Sequence, residues 1–411
     1  MNKIISTKTI LFYCPLFIII YNFTGNLSND IYLPTLPVFG REFDASNFLV
    51  QFTMTIWFIG AALPQIYFGL IANRYGRRPL MLWGGVVFLA ATFICMVAAN
   101  IYWLILGRFF QGVGVSSLNI ATFSTVQSKY YENKVSIKFI AWINATGSLA
   151  PLLGPVFGSF LYQNFGWRST FTAILIMGAI ALVGLYFFML ETYDEEHSKD
   201  FKISFASGWL FYKPVLKNRE LWKPLSSYIC FLGALIAYLI TAPFIIFHQF
   251  DIPIKYFGIT QIVPFSLFIA GGLSVNWLVN WVNTRTIIFI GFGLMLFSSA
   301  IWLTITWISS FLTVYWYIGA AGIYLYGFAL AGSPLMAESL SSTTNKGGVA
   351  AVLGLSMAVM ASISSFLTAI FFKENFSGFS VTISCFIVLG IANYFIINLV
   401  NSRKSRSGSL R

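Results

Sequence analysis

The sequence predicts an all-α membrane protein with twelve transmembrane helices in two six-helix bundles, and three observations carry that prediction. Hydrophobic residues make up 58% of the 411-residue chain and charged ones only 9%, with a mean hydropathy of +0.78. Most of such a chain is more stable in lipid than in water. Twelve apolar stretches, each long enough to cross ~30 Å of hydrocarbon as helix, fall near 10–36, 48–71, 79–99, 101–126, 138–162, 168–190, 224–247, 258–280, 285–307, 311–336, 347–372 and 377–400. The longest polar interval, 191–223, parts them six and six.

Charge supplies the topology. The net charge of +12 would suit a nucleic-acid partner in a soluble protein, but with the N-terminus inside, 20 of the 25 Lys and Arg fall in cytoplasmic segments. That is the positive-inside pattern of a multi-pass protein with both termini cytoplasmic, and it excludes a nucleic-acid footprint. The layout read from it is a first bundle over 1–190, a cytoplasmic linker over 191–223, a second bundle over 224–400 and a basic tail over 401–411.

Span 1 begins after two Lys, as a signal peptide does, yet no small-residue cleavage site follows and the run ends at Pro34 and Pro37; a retained first helix is expected. It holds Asp30, one of the few charges outside the loops. A charge deep in a span costs ~2.5–3.5 kcal/mol or more unless it faces a cavity or a partner. The plainer reading is a solvated residue at the outer mouth of the helix.

Between spans 2 and 3 stands Gly69-Leu70-Ile71-Ala72-Asn73-Arg74-Tyr75-Gly76-Arg77-Arg78-Pro79. Its glycines permit a tight turn, and its arginines can bridge carboxylates and helix C-terminal carbonyls at the cytoplasmic surface. Simple positive-inside anchoring would use the same arginines. Span 4 carries Arg108 in Gly107-Arg108-Phe109-Phe110-Gln111-Gly112. Counted at 1.5 Å per residue, Asp30 lies about 13 Å and Arg108 about 10 Å from the outer face, so coupling between them, direct or through water, is expected. A purely structural Arg binding unwound carbonyls of span 1 is compatible with that role.

Span 5 contains Ala150-Pro151-Leu152-Leu153-Gly154-Pro155-Val156-Phe157-Gly158-Ser159, where small residues four apart allow close helix contact and two prolines free carbonyls and bend the helix. In the linker, Trp209–Phe211 suits either a short interfacial helix or a loop. The second half keeps only Gly272, Leu273 and Arg285 as an echo of the first loop. Glu338 sits near the end of span 10. Cys14, Cys95, Cys230 and Cys385 stand singly, and His197 and His248 are scattered, so no metal site, disulfide framework or nucleophile–base set is supported. An enzyme is therefore not expected, and no charged ring or filter repeat suggests a channel.

The loop after span 2, the span 4 motif and the span 5 motif together resemble those of the major facilitator superfamily, and nearly the whole chain resembles its twelve-helix drug/proton antiporters, the MdfA-like and Bcr/CflA-like branches. Tyr21-Asn22-Phe23, Val215–Asn218 and Ile323–Phe328 share that texture. The resemblance implies two pseudo-symmetric bundles, a central cavity opened alternately to either side, proton coupling by Asp30 with Arg108 as its partner, and a span 5 motif typical of exporters. It implies a cavity drawing on Asn26, Asn29, Asp30, Met54, Trp57, Asn119, Phe123, Trp142, Pro151, Pro155, Tyr238 and Met357. It implies gating by Gly69, Asn73, Arg74, Gly76, Arg77, Arg78, Gln111, Gly154, Pro155 and Gly158. Five positions depart from the pattern, two of them Ala150 and Ser159, which replace glycines of the span 5 motif. Asn73 replaces the acid held to lock the outward-facing state, which predicts a weaker lock; Asn22 replaces a second membrane acid; Asn26 replaces an aromatic lining residue.

The resulting expectation is an inner-membrane multidrug exporter that exchanges small lipophilic neutral or cationic compounds for protons. It would work as a monomer in the lipid bilayer, without a cofactor, on the proton motive force. A dedicated exporter of one endogenous metabolite such as a siderophore, which Asn22 favours, and a proton-symport importer use the same residues.

Overall fold

The computed structural model describes residues 7–129, 134–189, 191, 213–308, 313–341, 346–372 and 375–408; the linker helix considered at Trp209–Phe211 lies outside them. Among the described residues the regular structure is helical throughout.

Contacts divide the chain into two units, Met1–Trp209 with Pro253–Gly258, and Leu210–Ile252 with Ile259–Arg411. The first unit opens with α1 (Thr7–Asp30), a 3₁₀ turn at Leu33–Thr35 and the short α2 (Leu36–Glu42). The continuous first span expected through residue 36 is thus broken after Asp30. Pro34 and Pro37 have no N–H to donate back into a helix, so each instead starts the next helical piece. The second span is also interrupted, at Leu63 and Pro64, between α3 (Asn47–Ala62) and α4 (Gln65–Tyr75). Then follow α5 (Arg77–Met96), α6 (Ile101–Lys129), α7 (Lys134–Phe165) and α8 (Arg168–Phe188).

The second unit holds α9 (Arg219–His248), α10 (Ile254–Leu278), α11 (Thr284–Trp307), α12 (Val314–Ser341), α13 (Lys346–Phe371) and α14 (Phe376–Gly408). The first residues of α10 group with the first unit, and α14 carries the helix into the segment read as a separate basic tail. Nine of the described helices are long and apolar enough to cross a membrane.

Each unit repeats one pairing scheme. In the first, α5 lies on α6 and α8, and α1 lies on α7 and α8; in the second, α11 lies on α12 and α14, and α9 lies on α13 and α14. Small residues set these approaches: a Cβ on Gly114 would stand 2.8 Å from the Gly84 carbonyl oxygen, and one on Gly327 would stand 2.9 Å from that of Gly291. The units differ in what their helices carry. Arg108, Asp30, Asn22 and Asn29 are buried in the first, whereas Asp, Glu, Lys and Arg of α9 to α14 occur only in the first or last two turns of each helix.

At the α8 start of the first unit, Trp167 Nε1 donates to Glu42 Oε1 at 3.3 Å, and Arg168 Nη1 pairs with the same oxygen at 3.5 Å. Trp167 stacks edge-on to Phe39, with centroids 5.2 Å apart, and Phe39 and Phe171 both meet the Tyr32 ring. This aromatic cluster fixes the chain just beyond the break in span 1.

Candidate functional site

The break leaves carbonyls at the end of α1 without helical donors, and Arg108 of α6 supplies one to Ser28. Its guanidinium is fully buried (0% exposed). Nη1 donates to the Ser28 carbonyl at 2.9 Å and to Gln111 Oε1 at 2.7 Å, while Nη2 donates to Asn29 Oδ1 at 2.9 Å. Gln111 Nε2 in turn donates to Thr92 Oγ1 at 2.8 Å, which fixes the amide's orientation. The cation lies 4.3 Å from the Tyr32 ring and 5.6 Å from the Trp57 ring, positions that favour a buried positive charge. A cation at a helix C-terminus also complements the α1 dipole.

Asp30 ends α1 and is 5% exposed. The direct ion pair with Arg108 is not made, since no nitrogen of Arg108 comes within 4.0 Å of the Asp30 carboxylate. Arg108 takes the side chain of the neighbouring Asn29 instead. A broken helix end turns Asn29 rather than Asp30 toward the guanidinium. Asp30 is held from the other side by α7: a Cβ on Gly154 would lie 2.7 Å from Asp30 Cβ and 2.9 Å from its carbonyl carbon. One turn on, a Cβ on Gly158 would collide with the Ile31 carbonyl oxygen. The glycines of span 5 are thus the surface on which the Asp30–Ile31 backbone rests.

Of the remaining cavity candidates, Met54 touches Arg108, with Sδ 4.0 Å from Nη2, and Trp57 shares its cluster. Asn26 is bonded one turn back, its Nδ2 donating to the Asn22 carbonyl at 2.9 Å and to Asn22 Oδ1 at 3.1 Å. Asn119 and Pro151 are half-buried and Pro155 is buried, all in the first unit. Tyr238 and Met357 belong to the second, where Tyr238 donates to Gln261 Oε1 at 2.8 Å. The side chains of Phe123 and Trp142 lie outside the described residues.

The gating set divides. Gln111 belongs to the Arg108 cluster and not to the Arg-rich loop. In that loop α4 ends at Tyr75, Gly76 takes φ +98°, and α5 begins at Arg77. Gly69 lies within α4, and the Arg74 guanidinium lies 5.4 Å from the Tyr75 ring; the Asn73 side chain is outside the described residues. The amides of Arg77 and Arg78 donate to Glu191 Oε1 and Oε2 at 3.1 and 3.2 Å, and Arg78 Nη2 donates to the Tyr186 carbonyl at 2.7 Å. Residue-by-residue reading missed Glu191, placed in the linker, and Tyr32. The signal for Tyr32 was an aromatic two residues past an intramembrane acid; for Glu191 it was an acid just past the end of a span.

Comparison with known proteins follows this geometry. The family model described as Major Facilitator Superfamily matches residues 18–369. The chain is 31% identical over 344 residues to a multidrug transporter MdfA of Yersinia pestis bv. Antiqua (strain Angola), covering 83% of this chain and 82% of that one. It is 28% identical over 342 residues to the multidrug transporter MdfA of Escherichia coli O6:H1, with the same shares covered. A solved structure of the xylose transporter XylE from E. coli, in a partially occluded inward-open conformation, aligns with a TM-score of 0.71 at 13% identity, over 94% of this chain and 97% of that one.

Proposed function

The chain belongs to the Major Facilitator Superfamily, and from that membership we propose that it is a proton-coupled multidrug exporter of the bacterial inner membrane. It exchanges small lipophilic neutral or cationic compounds for protons by alternating access, with both termini and the Arg-rich loop in the cytoplasm. The identity with MdfA transporters over four-fifths of the chain supports the substrate class. The observation that carries the mechanism is the bonding of Arg108. Its polar partners, Ser28, Asn29, Gln111 and the Thr53 carbonyl, are neutral, so the Asp30 carboxyl is not consumed in an ion pair.

Asp30 is therefore the group that takes up and releases the proton, while the fixed charge of Arg108 cannot. A proton and a substrate that favours the ionised carboxylate bind exclusively of one another, and that exclusion yields exchange. Because Asp30 rests on Gly154 of α7 and sits beside the Arg108 cap of α1, any shift of α1 against α6 or α7 alters its surroundings.

A second reading, export of one endogenous metabolite, draws on the hydrogen-bonded Asn22–Asn26 pair. It presents amides in place of a second acid, and amides suit a polar neutral ligand of fixed shape.

The test is proton release from inverted vesicles under an imposed pH gradient, with lipophilic cations, neutral drugs and siderophores added to wild type and Asp30→Asn. Wild type should dissipate the gradient on addition of several unrelated compounds, and Asp30→Asn should abolish the response. Dissipation that persists in Asp30→Asn would remove Asp30 from the coupling step, and a response to one compound alone would favour the dedicated exporter.

A further inference from the structure

The Arg-rich loop carries Arg74, Arg77 and Arg78 and no acid of its own between Gly69 and Pro79. A carboxylate nevertheless meets it from 113 residues away in sequence. Glu191, three residues past the end of α8, spans the first two amides of α5 with both of its oxygens. Gly76, the residue ahead of α5, has no side chain with which to cap that helix end. An anion there meets unsatisfied N–H groups and the positive end of the helix dipole.

The partnership is reciprocal. Arg78 returns a bond from its guanidinium to the Tyr186 carbonyl in the last turn of α8 and lies 5.8 Å from the Tyr186 ring. The α5 start and the α8 end are thus joined by two opposite charges, each set on the favourable end of the other's helix. Gly76 is shaped around the carboxylate: a Cβ there would stand 2.6 Å from Glu191 Oε2 and 2.8 Å from Cδ, on a backbone at φ +98° that side chains rarely adopt.

We propose that Glu191 is a positioning residue, whose carboxylate caps α5 and holds the Arg74–Arg78 loop in the conformation on which gating depends. The proposal rests on the alternating-access reading. Its local half, the carboxylate cap, is independent of substrate and of proton coupling.

The experiment uses the full chain in nanodiscs without substrate, as wild type, Glu191→Gln, Glu191→Asp and Glu191→Ala. Two readouts are taken: amide exchange of the peptide spanning Tyr75 to Leu80, and spin-label distances between the start of α5 and the start of α11. Glu191 is exposed, so folding should survive in all three variants. Glu191→Gln and Glu191→Ala should raise exchange at Arg77 and Arg78 about tenfold and change the ratio of populations in the distance distribution roughly twofold or more. Glu191→Asp, which keeps the charge, should stay nearer wild type in both.

Unchanged exchange in Glu191→Ala would show that no cap forms and would overturn the proposal. Raised exchange with an unchanged distance distribution would make Glu191 a cap without influence on the gate, which also overturns it. Failure of the vesicle assay leaves both readouts standing, so loss of the transport reading and loss of this one are told apart.

Discussion

Arg108→Ala should destabilise the purified protein by roughly 3–5 kcal/mol, because four oxygen acceptors buried among α1, α3 and α6 lose their charged donor together. Ser28, Asn29 and Gln111 are buried around an Arg108 that is itself 0% exposed. Arg108→Lys should recover little of the loss. An ammonium is a point charge on a flexible stem and cannot reproduce the fork that reaches Ser28, Gln111 and Asn29 at once or lie flat under Tyr32. Equilibrium unfolding in mixed micelles measures both variants, and a wild-type midpoint for Arg108→Ala would sink the role of this residue as the cap of the broken helix. The same variants separate structure from transport. If Arg108→Lys folds but no longer releases protons on addition of substrate, the guanidinium geometry and not the charge alone sets the state of Asp30.

Gly158→Val is the second large effect. A Cβ at 158 overlaps the Ile31 carbonyl oxygen and stands 2.9 Å from its carbon and 3.3 Å from Pro34 Cδ. These are backbone and ring atoms without a rotamer to change, so α1 and α7 must move apart. Overpacking of this kind costs about 1–3 kcal/mol or more, and the displaced atoms are those next to Asp30. Transport should fall even in the correctly folded fraction recovered by size exclusion. Gly147→Ala on the same helix is the control, since a Cβ there meets nothing within 4 Å. Equal behaviour of the two variants would remove the close approach from the argument.

Much of this was legible in the sequence, for reasons that also mark where reading stopped. Hydropathy is a property of long stretches, and it found most of the long helices within a few residues while missing the breaks in spans 1 and 2. Residue counting put Asp30 and Arg108 at one depth, because rise per residue is nearly constant in a helix. Rotation is not. Once Pro34 and Pro37 broke the first span, the side chain facing Arg108 depended on how α1 ends, and Asn29 took the place expected for Asp30. The span 5 glycines were recognisable as small residues at helical spacing, but their partner, the Ile31 carbonyl, belongs to a backbone conformation with no side-chain signature. Glu191 was missed for another reason. Its bonds go to amides, which every residue carries, so nothing in the residues at 77 and 78 announces which acid will cap them.

The two units share a pairing scheme, yet every buried charge described here lies in the first. A duplicated scaffold that keeps its ionic chemistry in one copy frees the other from the demand to protect it. Sequence drift in α9 to α14 would then be limited by shape and neutral hydrogen bonds, making that half the one to exchange when building chimeras that keep the buried charges and change the load.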